Sequence, residues 1–436
     1  MLLGTQRINE EGVLEIGGCS TVELAREFGT PLYVVDEDYF RQTCRACRAA
    51  FESRYPNVQI SFSGKAFATM ALFRIVEEEG LALDVSSGGE LYTGLQAGFS
   101  PDRIVLHGSN KSQQELEAAV AHGVGRVAID NLEEVARLQA VAEARGATVD
   151  VLIRVAPGVT ADTHSHIQTG KLDTKFGLAI VGGAARAAAE RTRQAANLRL
   201  RGLHCHIGSQ IFDLEPFRQA TEMMVGLAAE LREAFGFELA DLDLGGGLGV
   251  RYLDGDQPPS LDEYAEAVTG AVRDQCEKHG MALPRLLEEP GRRLIGEAGT
   301  TLYTVGVVKE IPGVRTYVSV DGGMSDNPRP SLYGARYEAI VANKAGEPRT
   351  AKVRVSGKHC ESDTLIEALE APEIAPGDIL AVQTTGAYNY SMASNYNRMP
   401  RPAVVLVTGG TADLIVERER LEDLVRLDRI PERLRA

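Results

Sequence analysis

The chain has 436 residues, 44% of them hydrophobic and 25% charged, with a formal net charge of −15 at pH 7. That length predicts two to three domains at roughly 150 residues each, and the apolar fraction is ordinary for a globular protein. The net negative charge argues against non-specific nucleic-acid binding, though local basic groups can still hold an anionic ligand.

No run of about 18 apolar residues is present, so no transmembrane helix is expected. Met1-Leu2-Leu3 is followed by Gly, Thr, Gln and Arg, with no apolar signal region. Six cysteines in a chain this long do not form a disulfide scaffold. These readings predict a cytoplasmic protein. Cys44 and Cys47 form a CRAC stretch inside a predicted helix (DYFRQTCRACRAAFESR) instead of at a helix start. They read as two thiols on one helical face.

Along the chain, short apolar runs alternate with amphipathic helical patterns. Val13–Ile16 and Leu32–Val35 are predicted strands at the N-terminus. Val58–Phe62 alternates with period two, as a strand does. A helix follows through Met70, Phe73 and Val76 and stops at Gly80. Seven further runs follow: 81–85, 103–107, 126–130, 149–155, 198–206, 239–244 and 285–288. Helical patterns over 90–97, 112–122, 132–145, 184–195, 214–235 and 261–279 fall between them. Eight strand-plus-helix units in about 240 residues match a (β/α)8 barrel, with a doubly wound sheet as the alternative.

After about residue 300 the texture becomes β-rich, with runs over 302–309, 316–321, 351–355, 379–382 and 403–407. The expected organisation is N-terminal strands (1–35) joining the β domain, a barrel (36–299) and a C-terminal all-β domain (300–436).

Reactive groups of such barrels gather at the C-terminal ends of the strands. Those ends hold Lys65, Asp84, the run Ser86–Glu90, His107, His204-Cys205-His206 with Ser209, Gly245-Gly246-Gly247-Leu248-Gly249, and Glu288–Arg292. The glycine loop follows the seventh strand, where barrels commonly bind phosphate. It is not a dinucleotide fingerprint, because Val250 stands where the last glycine belongs. By itself GGGLG reads equally well as a tight turn. Lys65 lies between Phe62 and Phe67; desolvation there would lower its pKa and make it a Schiff-base nucleophile. A Schiff-base lysine with a phosphate loop suggests pyridoxal phosphate (PLP), and a lysine aldolase is the rival. His204 and His206, two apart on a strand, share a face. A metal pair is one reading, but it needs a third ligand. One imidazole stacked on a flat cofactor ring is the reading favoured here, with no metal.

Ten motifs together resemble the diaminopimelate decarboxylases, a family of fold-type III PLP enzymes. They are SGKAFAT around Lys65, LALDVSSGGELYTGLQAGF (81–99), HGSNKS (107–112), THSHIQTGKLDTKFG (163–177), HCHIGSQI (204–211), DLGGGLG (243–249), EEPGR (288–292), SVDGGMSDNPRPSLYGA (319–335), HCES (359–362) and GAYNYSMASNYN (386–397). The resemblance runs in order over nearly the whole chain. It implies a PLP-bearing barrel, a C-terminal β domain, and a homodimer with shared active sites.

By position, Lys65 resembles the Schiff-base lysine, His206 the imidazole stacked on the ring, Glu289 the partner of the ring nitrogen, and Asp84 the acid beneath the cofactor. Ser209, Gly245, Gly246, Gly247, Glu289, Pro290, Gly291, Arg292 and Tyr388 resemble the phosphate grip. For the substrate, meso-diaminopimelate, Arg292 and Arg329 match the groups that bind the distal carboxylate, Tyr333 and Tyr388 add hydroxyls, and Glu361 matches the group facing the distal ammonium. Cys360 occupies the position of the proton donor, reaching the partner subunit's cofactor. The implied products are L-lysine and CO2. Other fold-type III enzymes, an alanine-racemase-like isomerase or a polyamine decarboxylase, lack a use for Arg329 and Glu361. A non-catalytic PLP carrier lacks a use for the β domain. Two departures are noted: Gly64 precedes Lys65, and His359 precedes Cys360, where it would tune the thiol.

Overall fold

The computed structural model describes residues 2–159 and 174–435. Residues 163–173 of the predicted motifs therefore lie outside the described residues. The chain divides into two compact units, one of residues 41–251 and 256–294, the other of 1–40, 252–255 and 295–436.

The first unit is a closed barrel of eight parallel strands: Val58–Ser63, Ala82–Val85, Ile104–Leu106, Arg126–Ile129, Val149–Ala156, Leu198–His204, Asp241–Asp243 and Arg285–Glu288. Closure is made by the last strand pairing with the first, Leu286 opposite Val58 and Glu288 opposite Ile60. The eight apolar runs of the sequence are these strands, displaced by at most two residues at either end. Several, such as Ala82–Val85 and Ile104–Leu106, are buried along their whole length because helices cover parallel strands.

Local signals set the helix starts. Ser112 and Ser260 each form a capping box with the glutamate three residues on. Ser87 accepts from Glu90 N, so the SSGGE run is the cap and first turn of helix Gly88–Gln96. Cys44 and Cys47 lie buried within helix Glu37–Glu52. Burial pushes both thiols up, Cys47 to about 12, so these are inert core groups. At the strand starts, Asp241 accepts from Arg126 Nε at 2.8 Å and from Arg285 Nε at 2.9 Å.

The second unit is built on a mixed sheet. Its strand order is Thr364–Ala371, Ala351–Ser356, Arg315–Val320, Gly299–Ile311, Leu32–Asp36, Ala403–Thr408, Thr411–Val416. Gly299–Ile311 is the spine: its first half pairs with Leu32–Asp36 and Ile379–Val382, its second half with Arg315–Val320. Leu14–Ile16 belongs instead to a small separate three-stranded sheet. No helix among the described residues is long and apolar enough to cross a membrane.

Candidate active site

Lys65 leaves the first strand on a short 3-10 turn, Gly64–Ala66. Phe62 and Phe67 on either side are fully buried, while the lysine side chain is 39% exposed. Its Nζ stands 3.7 Å from Oδ2 of Asp84, on the next strand. That oxygen also accepts from Ser63 Oγ at 2.5 Å. The lysine is thus held beside a buried carboxylate but still reachable.

Four further side chains gather at the same ends of the strands: His107, His204, Asp243 and Glu289. All are buried, and one ligand atom from each lies within 4.8 Å of the others. Glu289 is the centre. Its Oε1 lies 2.7 Å from His107 Nε2, and its Oε2 lies 3.4 Å from His204 Nε2. Burial alone would raise the Glu289 carboxyl; the two imidazoles outweigh it and hold the group well below the usual carboxylate range. Asp243 goes the other way. Burial, reinforced by the charge of Glu289, drives its carboxyl well above the ordinary value. His204 is pushed down to about 3, by burial first, and is neutral.

His206 follows the sixth strand and accepts from Gly246 N at Nδ1, 3.3 Å away. Loss of solvation, then the charges of Lys65 and Arg154, hold it far below the usual imidazole range. A neutral imidazole can pack against a cationic ring without charge repulsion. The strand ends at His204, so the two histidines are not a strand pair on one face as the spacing suggested. His204 turns to Glu289 and His206 to the glycine loop.

The loop itself needs its glycines. Gly245 has φ +70 and Gly247 φ +130, a region disfavoured for residues with a Cβ. A Cβ on Gly246 would meet Glu289 O at 2.5 Å, and one on Gly247 would meet Gly208 O at 2.5 Å. The loop is pressed against the backbones of 205–208 and 289. Beside it, Arg292 donates from Nε and Nη2 to Ser209 Oγ at 3.1 and 3.0 Å. Pro290 O accepts from Ser63 N at 3.3 Å, tying the EEPGR stretch to the strand that carries Lys65.

In the second unit Arg329 opens the short helix Arg329–Tyr333 and is buried. Its Nη1 donates to Tyr337 OH at 2.6 Å, and its guanidinium lies 4.9 Å from the Tyr252 ring centre. Among the described residues it has no carboxylate partner. Tyr333 ends the same helix. Tyr388 takes φ +61, a strained conformation for a tyrosine. Cys360 and Glu361 are exposed, and Tyr396 OH donates to Glu361 Oε1. The His359 imidazole is bound to Asp363.

The barrel therefore brings together Lys65, Asp84, His206, Ser209, the glycine loop and Glu289–Arg292. Arg329, Tyr333, Cys360, Glu361 and Tyr388 belong to the second unit. The sequence reading missed Asp243, Tyr252, Tyr337 and Asp363 as site groups. Asp243 had a visible signal, being the acid that opens the DLGGGLG motif, and Asp363 directly follows HCES. The two tyrosines had none, because only folding places them on Arg329.

Residues 40–296 match the family model for the pyridoxal-binding domain of pyridoxal-dependent decarboxylases. The chain is 49% identical to the diaminopimelate decarboxylase of Bacillus subtilis over 428 residues, covering 98% of each. This chain belongs to the diaminopimelate decarboxylase family. Among its diaminopimelate decarboxylase relatives, that of Mycobacterium tuberculosis is 46% identical over 430 residues, covering 96% of each chain. The diaminopimelate decarboxylase of M. jannaschii, solved in complex with L-lysine, superposes with TM-score 0.92 at 34% identity over 100% of both chains. That of Helicobacter pylori, also complexed with L-lysine, gives 0.84 at 32% over 93% of this chain and 98% of its own.

Diaminopimelate decarboxylases are pyridoxal-dependent carboxy-lyases, and the barrel fits that cofactor. A reachable amine, an ionised buried carboxylate, a neutral imidazole and a loop that only glycine can form are the donor types that an aldehyde, a pyridinium nitrogen, a flat ring and a phosphate require.

Proposed function

We propose that this protein removes CO2 from the D-configured carbon of meso-diaminopimelate and releases L-lysine. The observation that carries the reading is Arg329. A buried guanidinium set between the Tyr252 and Tyr337 rings, with no carboxylate partner among the described residues, suits an anionic ligand, and a guanidinium fork matches a carboxylate. The distal amino-acid head of meso-diaminopimelate supplies one, and ornithine-type substrates do not. L-lysine keeps that head, and two relatives were solved with L-lysine bound.

In this reading Lys65 holds PLP covalently, with Asp84 beside it. His206 packs on its ring. Glu289, kept ionised by His107 and His204, holds a proton at the ring nitrogen. Ser209, Gly245, Gly246, Gly247, Pro290, Gly291, Arg292 and Tyr388 grip the phosphate. PLP supplies the sink for the electron pair freed when the carbon–carboxylate bond breaks. Arg292, Arg329, Tyr333 and Tyr388 hold the distal carboxylate, and Glu361 the distal ammonium. Cys360 holds the replacing proton at Sγ and delivers it to the carbon that CO2 has left. Cys360 and Glu361 serve the site of a second copy of the chain, so the active form is a homodimer. A free, exposed thiol at Cys360 suits the reducing cytoplasm.

The test is to record the visible absorption of PLP bound to the purified protein, then add meso-diaminopimelate and assay CO2 and L-lysine. Lys65→Ala should lose both the colour and the turnover. A colourless wild type, or turnover of ornithine alone, overturns the reading.

A further inference from the structure

Residues 356–363, SGKHCESD, form a loop with buried ends and an exposed tip. His359 and Asp363 are 7% and 4% exposed, while Cys360, Glu361 and Ser362 between them are open. His359 Nδ1 and Asp363 Oδ2 are 2.5 Å apart. The same carboxylate accepts from His359 N at 3.2 Å and, at Oδ1, from Met324 N at 2.8 Å. Asp363 pays for this with a left-handed φ of +40, a conformation an aspartate takes when its carboxylate finds local N–H groups. Lys358 N donates to Gly322 O at 3.0 Å, so the base of the loop is sewn to the 322–324 segment.

The tip is held from the other side by Tyr396 and Asn397. The Tyr396 ring lies parallel to the His359 ring, 8° apart in plane and 5.9 Å between centres. Its hydroxyl donates to Glu361 Oε1. Asn397, itself left-handed at φ +53, accepts from Cys360 N at 3.3 Å. Asp363, His359, Tyr396 and Glu361 thus form one connected series, and Cys360 is pinned inside it.

We propose that His359 and Tyr396 are positioning residues that present Cys360 and Glu361 to the substrate, with Tyr396 setting the orientation of the Glu361 carboxylate toward the distal ammonium. The inference rests on the roles of Cys360 and Glu361 proposed above. An exposed glutamate explores many rotamers, and fixing it in advance removes that ordering cost from binding. The Tyr396 hydroxyl occupies one oxygen and leaves the other for an ammonium. The imidazole–carboxylate pair supplies the rigidity that an exposed loop tip lacks.

Tyr396→Phe, His359→Phe and His359→Asn separate the parts, with Glu361→Gln as reference. The readouts are KM and kcat for meso-diaminopimelate and the competitive Ki of L-lysine, which carries the same distal head but undergoes no chemistry. Tyr396→Phe should raise KM and the L-lysine Ki together, about tenfold as for loss of one bond to a charged group, with kcat within about twofold. His359→Phe should raise KM and also lower kcat, because Cys360 moves too. His359→Asn, which restores a donor at the position of Nδ1, should recover most of both. If Glu361→Gln raises the L-lysine Ki while Tyr396→Phe and His359→Phe leave every constant within about twofold, the positioning role is wrong. If Glu361→Gln itself changes nothing, the substrate reading falls and the positioning role with it. Should His359→Phe fail to fold, Tyr396→Phe and His359→Asn decide alone.

Discussion

The Nε2 of His107 stands 2.7 Å from Oε1 of Glu289, both side chains 5% exposed. A carboxylate at that depth would ordinarily take up a proton. The imidazoles of His107 and His204 reverse this and keep Glu289 ionised, the state that can hold a proton on a pyridine nitrogen. His107→Phe should therefore let the Glu289 carboxyl rise. The acidic limb of the pH profile of kcat/KM should move to higher pH, and kcat at neutral pH should fall by about tenfold or more, each tenfold being about 1.4 kcal/mol. An unmoved limb with unchanged kcat would show that His204 suffices.

Cys360 is the one exposed cysteine of the described residues. Cys360→Ala should slow turnover by about 10²- to 10⁴-fold, the usual contribution of a positioned proton donor. The visible absorption of bound PLP should persist, because the proposed cofactor grip does not include Cys360. Parallel loss of colour and turnover would assign it to cofactor binding instead.

Arg329→Lys should not rescue. The lysine keeps the charge but loses the fork and the contact with the Tyr252 ring. KM for meso-diaminopimelate should rise about tenfold to a hundredfold, from loss of a hydrogen bond between charged groups. Steady-state kinetics that show an unaltered KM would remove Arg329 from the substrate.

Tyr264 donates to Glu288 Oε2 at 2.6 Å in the barrel wall. Burial raises the Glu288 carboxyl to about 8, against the lowering pull of the Tyr264 bond. The folded protein therefore keeps the proton that the unfolded chain loses above its ordinary carboxyl range. Stability contributed by this group is full below about pH 4.5 and declines as pH rises toward about 8. Glu288→Gln should flatten that decline, so the variant gains on the wild type as pH rises from 5 to 8 in thermal melts. Identical slopes for both proteins would place the titration elsewhere.

The barrel was legible because most positions of its eight strands are buried. Each therefore reads as an apolar run followed by a helix stop such as Gly80 or Gly98, with no tertiary information needed. Lys65, Asp84, His206 and Glu289 were legible for a related reason: in a closed parallel barrel every strand end faces one rim, so counting strands locates the rim. Strands Thr364–Ala371 and Thr411–Val416 were not foreseen. They carry charged residues on exposed edges, and pairing partners decide such strands more than their own pattern does.

What the sequence determined by itself was the order of parts: eight strand–helix units, a glycine loop after the seventh strand, and a lysine after the first. Those features are local or periodic, and backbone sterics and burial read them directly. Tertiary structure alone decided the charge states and the pairings. Two imidazoles hold the Glu289 carboxyl low, while burial and the charge of Glu289 drive Asp243 high, although the two acids are 46 residues apart in sequence. The same holds for SGKHCESD. Its spacing put His359 next to Cys360, and the sequence suggested that the imidazole acts on the thiol. In the fold, His359 is bound to Asp363, because the loop turns back on itself at a left-handed aspartate.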